Sequence, residues 1–215
     1  MGKSTRRSFG FSNNDEIEYL KLTPELTEEA VDVLNRSFLI NESVCKASEI
    51  NIPNNPDSIQ ARKDLSELCR IVARDGVSLV AKHVPSNKIV SVAFNKVQFI
   101  DPAINQSFFE EFRDVSCLSP NSKCLMNYMI NMDQRINVFD QFSIDCVIEI
   151  MFLATLPEFE RKGIGRNLTK YSVNLAEELG RGVGTEHIDE SLVQRVPKGV
   201  AALWTSSYSA IIGKN

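Results

Sequence analysis

The stretch from Asp145 to Leu179 constrains the fold more than any other part of the chain. Asp145–Thr155 is a nearly unbroken apolar run with the length and β-branched content of a buried strand. It stops at Pro157, passes through the charged turn Glu158–Lys162, and enters a helix across Gly163 and Gly165. Ile164, Leu168, Tyr171, Leu175 and Leu179 then recur at the spacing of one helix face. A strand that runs through a short turn into a helix leaves bare N–H groups and the positive end of a helix dipole at the mouth of a sheet. That is a place to hold a phosphate or pyrophosphate.

Core packing alone explains the apolar helix face, so a plain strand-to-helix turn is the competing reading. The glycines tell against it. Each costs about 1 kcal/mol relative to a good helix former, and close approach of a ligand to the backbone is the usual compensation. Arg161, Lys162 and Arg166 add positive charge on either side. A nucleotide P-loop would end in Gly-Lys-Ser/Thr, but Gly165 is followed by Arg166-Asn167. A dinucleotide fingerprint would carry a third glycine near the first strand, whereas this turn comes late.

At 215 residues the chain is expected to hold one domain. Its composition, 43% hydrophobic and 24% charged, is that of a globule with a substantial core. A net charge of −4 argues against nucleic acid as a partner. No apolar run approaches the roughly 18 residues of a membrane span, and no apolar segment follows the basic start as in a signal peptide. The expectation is a cytoplasmic protein, monomeric or weakly dimeric, that does not bind membranes. The five cysteines and two histidines show no metal-ligand spacing, so no metal is expected and the thiols are read as reduced.

Residues 1–14 are polar and read as a disordered arm, with the domain over 15–215. Residues 16–22 alternate as a first strand, and Thr23-Pro24-Glu25 opens a helix that fades near Asn41–Ser43. A second helix follows over 57–74. Val77–Val84 and Lys88–Phe99 form a hairpin around Pro85-Ser86-Asn87. A short helix carries Phe108, Phe109 and Phe112, and residues 123–139 read as a helix with Met126, Met129 and Met132. These aromatic and Met side chains are core by type, with lining of an amine pocket as the alternative. After the glycine helix come a strand over Val200–Trp204 and a helix from Ser206. This mixed order implies an α/β fold with a central sheet and helices on both faces.

Glu160-Arg161-Lys162-Gly163-Ile164-Gly165 resembles the acetyl-coenzyme A signature of the GNAT N-acetyltransferase superfamily, Gln/Arg-x-x-Gly-x-Gly/Ala, with Glu160 at the first position. The wider pattern resembles the insect arylalkylamine N-acetyltransferase branch. It rests on Leu34–Glu42, on the Pro-x-Phe before the signature, and on Leu203-Trp204-Thr205-Ser206-Ser207-Tyr208-Ser209. The resemblance implies a mixed, mostly antiparallel sheet flanked by helices. It implies acetyl-CoA as cosubstrate, held by Arg161, Lys162, Gly163, Ile164, Gly165 and Arg166, with the backbone of Leu153, Ala154 and Thr155 along its pantetheine arm. The acceptor it implies is a small primary amine, in particular an arylalkylamine.

An alkylamine has a pKa near that of lysine, so only about one molecule in a thousand is neutral at pH 7, and attack on a thioester needs a base. Glu42, at the end of the first helix, matches the branch's catalytic glutamate, although Ser43 stands where that branch commonly has proline. The bland alternative is a solvated helix-end carboxylate. The leaving thiolate needs a proton donor. The resemblance points to Ser206 and Ser209, with Tyr208 in reserve; hydroxyls at a helix start are also ordinary caps. Superfamily members continue past the helix that ends this chain into two closing strands, so impaired stability or acceptor binding is expected here. The alternatives are a truncated GNAT-like domain that binds coenzyme A or a protein without turnover, and an acyltransferase for another amine such as a polyamine.

Overall fold

A computed structural model describes residues 7–101, 103, 106–185 and 188–214, with the side chains of residues 207 and 208 left out. Six strands form one sheet in chain order: β1 (Ser8–Ser12), β2 (Ile17–Lys21), β3 (Leu79–His83), β4 (Lys88–Phe99), β5 (Cys146–Thr155) and β6 (Val200–Ala202). Every neighbouring pair is antiparallel except β5 with β6, which is parallel. The helices are α1 (Thr27–Arg36), α2 (Phe38–Asn41), α3 (Ser43–Ala47), α4 (Pro56–Ala73), α5 (Phe108–Val115), α6 (Pro120–Asp133), α7 (Val138–Phe142), α8 (Ile164–Gly180) and α9 (Ser207–Gly213). This is the mixed, mostly antiparallel sheet expected.

Helices cover both faces. Asn95 on β4 donates its amide to Ser172 Oγ of α8 at 2.9 Å, which marks the α8 face. The preceding residue, Phe94, points the other way by strand alternation. It is paired with Phe152, whose ring meets Phe38 of α2 edge-on at 5.4 Å.

Local chemistry sets most of the boundaries. Asn55 accepts from Ser58 N at 2.9 Å, and Pro56 fills the first position of α4. Ser107 and Glu110 close a capping box on α5.

Three segments differ from the sequence reading. The first helix breaks at Ser37 (φ −124°, ψ −73°), whose hydroxyl donates back to Val33 O at 2.6 Å and competes with the backbone ladder. The break re-aims α2, so Leu39 is buried while Phe38 meets Phe152. The helix expected over 123–139 is two. Ser119-Pro120 starts α6 early, and Asn137 takes the amides of Phe139 and Asp140 to begin α7. The disordered arm expected over 1–14 does not hold for Ser8–Ser12, which pair with β2 as β1. Phe9 lies 5.7 Å from the Tyr171 ring of α8, and Arg7 pairs with Glu178. Those partners are more than 160 residues away, so the polar local sequence does not announce them.

No helix among the described residues is long and apolar enough to cross a membrane. Cys45, Cys69, Cys117 and Cys146 are buried free thiols, and Cys124 is exposed.

Candidate functional site

The turn into α8 is where the sequence places it. A single 3-10 turn over Pro157–Phe159 leads to Arg161, in the left-handed region at φ +61°, and to Gly163 at φ +75°, the N-cap of α8. A Cβ on Gly163 would meet nothing within 4 Å, so the space before it is open. Asn167 is the first amide of the helix with an internal acceptor, Gly163 O at 3.1 Å. Among the described residues, the six amides from Arg161 to Arg166 have no acceptor. A row of bare amides at a helix start, with Arg161, Lys162 and Arg166 exposed around it, suits an anion such as a diphosphate.

Unlike Gly163, Gly165 has close neighbours. A Cβ there would stand 3.4 Å from Ile212 Cδ1 and 3.6 Å from Leu153 Cδ2. Those are ordinary contact distances, so α8 packs against β5 and α9 at Gly165, whereas Gly163 faces open space.

β5 and β6 part company just beside this turn. They pair only from Ile148 to Ile150, against Val200–Ala202, whereas β5 stays paired with β4 out to Thr155. Among the described residues, the outer edge of β5 beyond Ile150 therefore has no strand partner. Ala154 turns its carbonyl to β4, where Ser91 Oγ donates to it at 2.7 Å, and Leu156 N donates to Val90 O at 2.9 Å. By strand alternation the backbone groups of Leu153 and Thr155 face the open edge.

A cleft of about 560 Å³, counted out to its open mouth, lies in this gap. Phe38, Met129, Phe152, Leu153 and Trp204 line it, together with Glu42, Thr205 and Ser209. Glu42 is the N-cap of α3, and its Oε2 accepts from Cys45 N at 2.7 Å. Its Oε1 accepts from Thr205 Oγ1, also at 2.7 Å. The two bonds fix the carboxylate between the helix side and the β6 side of the cleft. Burial, then the charge of Glu42, pushes the neighbouring Cys45 thiol well above its ordinary range, so that thiol stays protonated.

Glu42, Leu153 and Ser209 thus come together in one cleft. Ser206 sits one step away as the N-cap of α9, accepting from Ser209 N at 3.1 Å and lying 2.9 Å from Ser209 Oγ. The Tyr208 side chain is outside the described residues. Met129 reaches the cleft, whereas Met126, Phe109 and Phe112 belong to the core. Sequence reasoning missed Thr205 and Phe38 as site residues. Thr205 stands at the head of the hydroxyl run that ends at Ser209, which is the signal available for it. Phe38 follows directly on the break at Ser37 and lines the cleft.

No family model matches this chain, nor does any curated protein. Solved structures do. Arylalkylamine N-acetyltransferase 2 from Aedes aegypti superposes with a TM-score of 0.69 at 19% identity, over 94% of this chain and 81% of that one. A mosquito arylalkylamine N-acetyltransferase-like 5b gives 0.69 at 14% identity, over 92% and 81%. A Drosophila melanogaster polyamine N-acetyltransferase, which catalyses the formation of N-acetylagmatine, gives 0.69 at 15%, over 92% and 80%. The chain has the fold of these acetyltransferases.

Proposed function

We propose that this protein transfers the acetyl group of acetyl-coenzyme A to a small primary amine, with both substrates bound at once. One observation carries the reading: six consecutive acceptor-free amides open α8, joined through Leu153 to a cleft that holds a fixed carboxylate. The amides of residues 161–166 would take the diphosphate. The open edge of β5 at Leu153 and Thr155 would hydrogen-bond the pantetheine arm, as an extra strand would. No metal enters this chemistry.

Glu42 takes a proton from the acceptor's ammonium, and the neutral nitrogen attacks the thioester carbonyl. As the C–S bond breaks, the thiolate takes a proton from Ser209, which regains one from the nitrogen as it becomes an amide. Cys45 N and Thr205 Oγ1 hold Glu42 in orientation, and Ser206 holds Ser209. The cleft wall is aromatic and apolar, with Phe38, Phe152, Met129 and Trp204, which favours an arylalkylamine over a polyamine.

Calorimetry with acetyl-coenzyme A tests the coenzyme half. The expected result is heat of binding together with slowed hydrogen exchange over residues 161–166; absence of both would falsify it. Thiol release with a panel of amines tests the transfer half, with phenylethylamine-type acceptors expected to exceed putrescine in kcat/KM. Binding without turnover on any primary amine would leave a coenzyme-binding domain and sink the transferase reading.

A further inference from the structure

Arg161 holds a left-handed conformation that persists at a non-glycine residue only where its surroundings over-determine it. The surroundings here include the N-terminal hairpin. In the turn between β1 and β2, Asn13 Nδ2 donates to Lys162 O at 3.4 Å, inside the anion-receiving turn itself. Tyr19 on β2 is fully buried. Its hydroxyl lies 2.7 Å from Ser12 Oγ and accepts from Asn167 Nδ2 at 2.9 Å. Asn167 is the residue whose amide makes the first internal bond of α8, so holding its side chain holds the helix's opening turn.

The hairpin is in turn anchored down the length of α8. Tyr171 packs on Phe9 and Tyr19 at 5.7 and 5.1 Å, and Arg7 pairs with Glu178. A Cβ on Gly10 would lie 3.0 Å from the Tyr171 hydroxyl, so the approach is close. Asn13, Asn14 and Asp15 all sit at positive φ, a conformation that suits Asn and Asp better than most residues. Asn13 and Tyr19 are not among the residues that line the cleft of Glu42.

We propose that the β1–β2 hairpin is a positioning element for the turn that receives the diphosphate. Tyr19, through Asn167, and Asn13, through the Lys162 carbonyl, hold the amides of residues 161–166 in place before the coenzyme arrives. The inference rests on the coenzyme reading of that turn. Preorganisation of this kind strengthens binding by lowering what must be ordered at the moment of contact.

Two variants test it. Tyr19→Phe keeps the ring against Tyr171 and removes only the hydroxyl; Asn13→Ala acts in an exposed turn away from the core. Each is expected to raise the Kd for coenzyme A in calorimetry by roughly 3- to 10-fold, the net worth of one hydrogen bond. Turnover with S-acetylpantetheine, which lacks the diphosphate, should stay at the parent's rate, as should the KM for the amine. Unchanged coenzyme A binding in both variants overturns the proposal, and so does an equal fall with S-acetylpantetheine, which would mark a general loss of structure. A parent that binds no coenzyme A takes down the reading of the turn along with this inference. A parent that binds while the variants bind equally well takes down the hairpin's role alone.

Discussion

The two halves of β5 are one strand of similar apolar character, yet their edges have different fates. Cys146–Ile150 is followed by β4 on one side and meets β6 on the other over Ile148–Ile150. Met151–Thr155 is paired with β4 alone. In the closed half, strand hydrogen bonds satisfy the backbone, and a polar side chain is the costly thing. Burial first, and the nearby charge of Asp133 second, pushes the Glu149 carboxyl up to about 7, while Gln98 Nε2 donates to it at 2.9 Å. In the open half the side chains are at ease and the outer edge of the backbone has no strand partner among the described residues. Leu153 and Thr155 are half-buried, and their outward N–H and C=O groups are the ones left to pair with something other than a strand. A cleft arises here from the parting of two strands, with no change in the character of the residues.

The sharpest way to break this contrast is at the carboxylate that faces the open half. Glu42→Ala should lower kcat by about 10²- to 10⁴-fold, the usual contribution of a general base, with the Kd for acetyl-coenzyme A unchanged in calorimetry. Next is the pair of glycines. Gly163→Val forces a β-branched residue to φ +75° and should weaken coenzyme A binding roughly 5- to 30-fold. Gly165→Val instead extends γ-methyls beyond a Cβ already in contact with Ile212 and Leu153, so its main effect should be a lowered melting temperature. Thr205→Val removes one donor from Glu42 and should cost about 10-fold in kcat/KM for the amine, with the melting temperature nearly unmoved.

The last effect belongs to the closed half and touches stability, not catalysis. A carboxyl raised to about 7 in the folded state keeps a proton that the unfolded chain gives up near 4.3. Its stabilising contribution is complete below that lower value and is lost as pH rises through about 7. Melting temperature measured from pH 5 to 8 should therefore fall with pH in the parent. It should fall less in Glu149→Gln, by on the order of 1–3 kcal/mol in stability. An unaltered slope in the variant would show that Glu149 does not titrate in this range.

The turn was readable because its causes are local. Pro157 ends the strand, Gly163 permits a left-handed N-cap, and the helix face from Ile164 to Leu179 repeats within one element. The strands β2 to β5 and the helix α4 were readable for the same reason. Ser37 illustrates the limit. Nothing in Arg36-Ser37-Phe38 says whether the serine will bond back to Val33 and split the helix. Residues 8–12 read as polar filler because the partners that order them, Tyr171 and Glu178, lie on a helix formed far later in the chain.

The chain's own order of residues determined most of the elements, the place of the turn into α8 and the candidacy of Glu42, since each depends on neighbours within a few positions. Tertiary structure alone decided that β6 would leave β5 after Ile150, that Thr205 would reach Glu42 across 163 positions of sequence, and that Gly165 would stand against Leu153 and Ile212. Those outcomes depend on how twisted strands and helices fit against one another. Such fits are sums over many distant contacts, and no single short segment carries them.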